Sequence, residues 1–289
     1  MKKASIIFVA IFLINSCITH KQDKGLVVPK SDVVSLTFTT ARNLVLLPIT
    51  FEGTEKLFIL DTGDDLTTIN RKEPKGKITK VGTATGQKAK VGNEIVSSLK
   101  IADMDFQKIC AKNLNFDYVE KEVPKFGGLV GQATLSKANW LIDYPNKNIK
   151  ISTKPIETIA YETISMKNIR KPEISIIIDG ETYLAFVDLG SSTALSVLET
   201  SPLGKKLAQK ITFTDGPKET FTASGLSKEI VKRGVLPNVQ LGNNELKNTD
   251  MVLLKASSVP IRIGMSFFKD CTLYLDYTNN VYKIKKINL

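Results

Sequence analysis

A thirteen-residue passage occurs twice in this chain, which restricts the fold to one assembled from two equivalent halves. Phe51-Glu52-Gly53-Thr54-Glu55-Lys56-Leu57-Phe58-Ile59-Leu60-Asp61-Thr62-Gly63 aligns without a gap on Ile178-Asp179-Gly180-Glu181-Thr182-Tyr183-Leu184-Ala185-Phe186-Val187-Asp188-Leu189-Gly190, 127 residues further on. In both copies an acidic residue and a glycine separate two apolar runs, which predicts a tight hairpin. The second run of each ends in an aspartate, with a glycine two residues later. Another pair of landmarks repeats as well: Gly131-Gln132 leads to Ile142-Asp143-Tyr144-Pro145-Asn146, and Gly264-Met265 leads to Leu275-Asp276-Tyr277-Thr278-Asn279. Their offset is 133, so the second copy is six residues longer between the landmarks. Two units of this kind, related by a pseudo-twofold, are expected to bring the carboxylates of Asp61 and Asp188 together.

Runs rich in Val, Ile, Thr, Phe and Tyr, punctuated by Gly, Asn and Pro, predict an all-β protein. Residues 44–51, 56–60, 173–178 and 182–187 are the clearest strands. Pro48 has no N–H for a ladder, so the first of these is expected to bend or to lie at an edge there. Helical signal is confined to residues 132–139 and 202–210. Extending the repeat upstream gives lobes at 33–151 and 160–289, joined by a linker at 152–159 that contains Ser152-Thr153-Lys154-Pro155. A chain of 289 residues is long enough to give each lobe its own core.

Met1-Lys2-Lys3 and the apolar run that follows have the charge and length of a signal peptide and are too short for an ordinary membrane span. The run ends in Leu13-Ile14-Asn15-Ser16-Cys17, which resembles a bacterial lipobox. Residues 1–16 are therefore expected to be removed, Cys17 to carry lipid at the cell envelope, and residues 17–32 to act as a polar tether. The net charge of +11 would fall to +9 on that cleavage. Its lysines are scattered over turns such as Lys72, Lys75, Lys77 and Lys80, without aromatic interleaving. That pattern predicts a solvated surface and no nucleic-acid partner.

Most other chemistries lack their residues. His20 is the single histidine and falls in the tether, so Ser-His, Cys-His and histidine-metal sites have no base or ligand in the folded part. Neither a metal nor a cofactor is expected. Cys110 reads as a small buried hydrophobe, and Cys110 with Cys271 makes no strong case for a disulfide. Gly82, Gly86 and Gly92 fit no phosphate-cradling motif. Trp140 reads as core, and Asp143 and Asp276 as structural turns.

The remaining signal resembles the pepsin-like and retropepsin-like aspartic proteases. In that family each half supplies an apolar-apolar-Asp-Thr-Gly turn and, later, an apolar-apolar-Gly segment that threads beneath it. The first half has Ile59-Leu60-Asp61-Thr62-Gly63 and Leu129-Val130-Gly131; the second has Phe186-Val187-Asp188-Leu189-Gly190-Ser191 and Arg262-Ile263-Gly264. Thr83-Ala84-Thr85-Gly86 and Thr222-Ala223-Ser224-Gly225 stand where the family places a flap and its counterpart. The resemblance implies a two-lobed pepsin-like fold made by duplication of a retropepsin-like β-barrel lobe. It implies a monomeric aspartic endopeptidase acting on polypeptides, with Asp61 and Asp188 catalytic and Thr62, Gly63, Leu189, Gly190 and Ser191 supporting them. Thr85, Gly86, Ser224 and Gly225 are then the flap candidates. Two carboxyls held together do not both ionise readily, so one keeps a proton while the other can activate water. Leu189 replaces the usual hydroxyl residue, and Asp64 adds a carboxylate beside Asp61. These departures favour an alternative, a catalytically weakened relative that binds peptides or partner proteins at the envelope. A structural lipoprotein without a ligand is a third reading.

Overall fold

The computed structural model describes residues 23–82, 88–166, 168–222 and 225–286. The first half contains β1 (Leu26–Pro29), β2 (Val33–Thr37), β3 (Thr39–Ala41), β4 (Leu44–Phe51), β5 (Thr54–Leu60), β6 (Thr67–Asn70), β7 (Thr79–Gly82), β8 (Lys88–Ile101), β9 (Met104–Leu114), β10 (Phe126–Val130), the helical turn α1 (Gln132–Leu135), β11 (Asn139–Asp143) and β12 (Asn148–Ser152). The second contains β13 (Glu162–Ile164), β14 (Glu173–Ile178), β15 (Glu181–Val187), β16 (Leu195–Leu198), helix α2 (Pro202–Lys210), β17 (Thr214–Thr222), β18 (Gly225–Leu241), β19 (Asn244–Leu254), β20 (Ile261–Ile263), the 3-10 turn Met265–Phe268, β21 (Cys271–Asp276) and β22 (Val281–Lys286). The chain is mostly β-strand, as the alternation of apolar and polar residues predicts.

In each half one sheet closes on itself. The first ring runs β4-β5-β10-β6-β9-β8 and returns to β4; the second runs β14-β15-β20-β16-β19-β18 and returns to β14. The sense of pairing repeats as well as the order. β5–β10 and β15–β20 are parallel, β6–β10 and β16–β20 antiparallel, and β6–β9 and β16–β19 parallel. A hairpin projects from each ring, β7–β8 from the first and β17–β18 from the second. A third, antiparallel sheet, β13-β22-β21-β11-β12-β2, takes three strands from each half. Its halves meet at β11 and β21, where Trp140 pairs with Leu275 and Ile142 with Leu273.

Local chemistry explains the strand ends. Glu52 and Gly53 have φ of 50° and 77°, and Asp179 and Gly180 have 52° and 76°. Two successive positive values make the primed turn whose twist suits an antiparallel pair, so both hairpins have the expected form. Pro48 lies in β4 opposite Leu57. On its other side β3 pairs only with Leu44–Leu46 and β8 only with Thr50 and Phe51, leaving a local edge at the residue without an N–H. Ser201 caps α2 by accepting from the Gly204 N–H at 3.0 Å, and Pro202 occupies its first turn. α1 is shorter than the 132–139 expected, because Asn139 already begins β11.

The expected tether is also shortened. Leu26–Pro29 pairs antiparallel with β9, from Leu26 opposite Gln107 to Pro29 opposite Met104. That edge of β9 is open because β6 reaches only Ala111–Leu114, and Val27 packs on the core. Apolar residues facing an unpaired edge therefore override the polar composition around them. The core itself runs through both rings and the shared sheet. Trp140 lies fully inside it, stacked on Phe106 and donating its indole N–H to the Leu135 carbonyl at 2.8 Å. Cys110 and Cys271 are both buried and free.

Candidate active site

Each candidate aspartate is the first residue beyond a ring strand. The Asp61 N–H donates to the Val130 carbonyl at 3.0 Å, and the Asp188 N–H donates to the Ile263 carbonyl at 2.8 Å. Parallel neighbours β10 and β20 thus fix where β5 and β15 stop. The two turns then meet. A Cβ added to Gly63 would lie 2.7 Å from Asp188 Cγ, and one added to Gly190 would lie 2.5 Å from Asp61 Cγ. Each glycine is therefore flat against the carboxyl of the other half, an approach that no side chain permits. The Asp61 and Asp188 carboxyls are close enough to shift each other's proton affinity. Within its own turn, Asp61 Oδ1 accepts from the N–H groups of Gly63 at 2.8 Å and Asp64 at 3.1 Å.

Thr62 ties the turns together. Its buried hydroxyl donates to the Val187 carbonyl at 2.9 Å and accepts from the Leu189 N–H at 3.0 Å. Leu189 occupies the matching position, fully buried and without a hydroxyl, so the lock is one-sided. Behind Thr62, Gln132 Nε2 donates to the Thr62 carbonyl and accepts at Oε1 from the Tyr277 hydroxyl, both at 2.8 Å. Ser191 enters through its backbone: its N–H donates to the Asp188 carbonyl at 3.0 Å, and its own carbonyl accepts from the Met265 N–H at 2.8 Å. A cavity of about 690 Å³ opens beside this turn, lined by Ser192, Thr193, Pro217 and Lys218 and, from the first half, Arg42 and Asn43. Gly225 opens β18 with φ of 117°. Thr85, Gly86, Ser224 and Cys17 lie outside the described residues.

Both carboxyls are held above the ordinary carboxylate range. For Asp61 the shift is large: burial is the main cause, followed by the charges of Asp188 and Asp64. For Asp188 burial again leads, opposed by the Arg262 charge, the hydrogen bond from Asp61 and the Gly190 N–H. Asp64 does not stand as a bare extra charge. It accepts from Lys112 Nζ and from the Thr68 hydroxyl, each at 2.5 Å, so its effect on Asp61 is partly neutralised.

These directions fix a pH dependence. A carboxyl whose folded pKa is raised favours folding while protonated, so its contribution is present below the unfolded value of about 4 and is lost as pH rises through the folded value. The wild-type protein minus an Asp61→Asn variant should therefore lose relative thermal stability from acid toward neutral pH. Calorimetry across that range checks this, and a difference independent of pH would contradict it.

Sequence reasoning missed Arg262 and Lys112. Arg262 had a signal, since it is the charged residue in Arg262-Ile263-Gly264 where the first copy has Leu129. Lys112 had none, because its closeness to Asp64 depends on β9 pairing with β6. No family model matches the chain, and no curated protein matches it.

Proposed function

We propose that this protein is an aspartic endopeptidase of two-lobed, pepsin-like architecture, held at the cell envelope by lipid on Cys17. The observation that carries the reading is reciprocal: Gly63 lies against the Asp188 carboxyl and Gly190 against the Asp61 carboxyl, which brings the two acids together at the junction of the turns. A pair sharing one proton can polarise a water with its anionic member and hydrogen-bond the scissile carbonyl with its protonated member. No covalent intermediate is needed. The two projecting hairpins suit an extended polypeptide, which can add strand-like pairing to their edges. A full-length preparation is expected to cleave an unfolded protein, with inhibition by pepstatin.

A second reading has one specific observation behind it. Leu189 leaves the turn lock one-sided, which suits a weakened relative that binds peptides without cutting them. Saturable peptide binding without cleavage from acid to neutral pH would favour it. For the anchor, Cys17→Ala is expected to abolish acyl labelling and to release most of the protein from the membrane fraction. Fractionation unchanged by that substitution would refute lipid anchoring.

A further inference from the structure

The two carboxyls do not face the same charges. Arg262 Nε lies 3.3 Å from Asp188 Oδ2. Its residue pairs with Phe186, two positions before Asp188, whereas the equivalent residue Leu129 pairs with Ile59, two positions before Asp61. The second half thus has a guanidinium where the first has an apolar side chain. The Arg262 side chain is only 18% exposed, and its Nε finds no hydrogen-bond partner among the described residues. Its contact with Asp188 is therefore one of charge at short range in a water-poor setting, where screening is weak. Around it, Asp188 faces Asp61 and Asp64, and Lys218 of β17 is near enough to Arg262 for the two cations to oppose each other. Asp61 faces two carboxylates, Asp188 and Asp64, and the ammonium of Lys112, which is itself paired with Asp64.

We propose that Arg262 is a positioning residue that assigns the roles within the pair, keeping Asp188 as the anion and leaving the shared proton on Asp61. The inference rests on the dyad reading above. The unequal directions agree with it, since Asp61 is pushed well above the usual range while Arg262 pulls Asp188 back. In the proposed hydrolysis, Asp188 takes a proton from water as the water oxygen bonds the scissile carbon. The carbonyl π pair moves to oxygen, which receives the proton of Asp61. Collapse breaks the C–N bond, the amine leaves with the proton held on Asp188, and Asp61 recovers its proton from the diol. Protonating Asp188 stops this sequence, so Arg262 extends activity toward acid.

The test uses full-length protein in detergent with 13C-labelled aspartate carboxyls, assigned from Asp61→Asn and Asp188→Asn. Between the two titrations of the pair, Asp188 should give the carboxylate signal and Asp61 the carboxylic acid signal; the reverse overturns the proposal without any Arg262 variant. Removing an opposite charge this close is expected to raise the lower titration by about 1–3 units in Arg262→Met. Arg262→Gln, which keeps a polar side chain without the charge, should act in the same direction. The acid limb of kcat/KM should move with it, about tenfold less activity per unit on that limb. An unmoved lower titration in a folded variant sinks the idea. A titration that moves in a protein that cleaves nothing would leave the charge assignment standing and remove the hydrolase reading.

Discussion

Asparagine at either Asp61 or Asp188 is expected to abolish peptide hydrolysis, lowering kcat/KM by at least about 10²–10⁴-fold, the usual contribution of positioned acid–base groups. Asparagine fills nearly the same volume, so the close approaches of Gly190 to Asp61 and of Gly63 to Asp188 should survive it. At position 61 its carbonyl oxygen can still accept from the N–H groups of Gly63 and Asp64. What it cannot do is hold or take the shared proton. Cleavage of an unfolded protein, measured beside circular dichroism, separates lost chemistry from lost fold. Undiminished cleavage in both variants would place the reacting group elsewhere.

The second large effect concerns Thr62→Val, which keeps the shape and removes the hydroxyl. Two buried groups of the other half, the Val187 carbonyl and the Leu189 N–H, lose their contact with it. A buried polar group left without a partner costs about 1–3 kcal/mol, so the pair should cost about 2–6 kcal/mol in unfolding free energy. Chemical denaturation reads that loss, and Thr62→Ser should recover most of it. Leu189→Thr should not mimic the damage, because Leu189 contributes only its backbone to this contact. A Thr62→Val protein as stable as wild type would mean that the hydroxyl does not hold the turns together.

Much of this was legible because the sequence states it twice. The Glu52-Gly53 and Asp179-Gly180 turns need positive φ at consecutive positions, and acid-glycine dipeptides announce that locally. The apolar runs before Asp61 and Asp188 place both residues at strand ends for the same reason. What pairs with a strand is a different matter. The capture of Leu26–Pro29 by β9 depends on how far β6 extends along that strand. The ion pair of Lys112 with Asp64 spans 48 residues of chain and has no local pattern. Arg262 lay between these cases: its break from the repeat was visible, but the identity of its neighbour required β20 to run beside β15.

The shared sheet limits how the molecule can come apart. Because β11 of the first half is hydrogen-bonded to β21 of the second, the two halves cannot separate without exposing a row of main-chain donors and acceptors. A first half produced alone would present β11 as a sticky border whose best available mate is β11 of another such half.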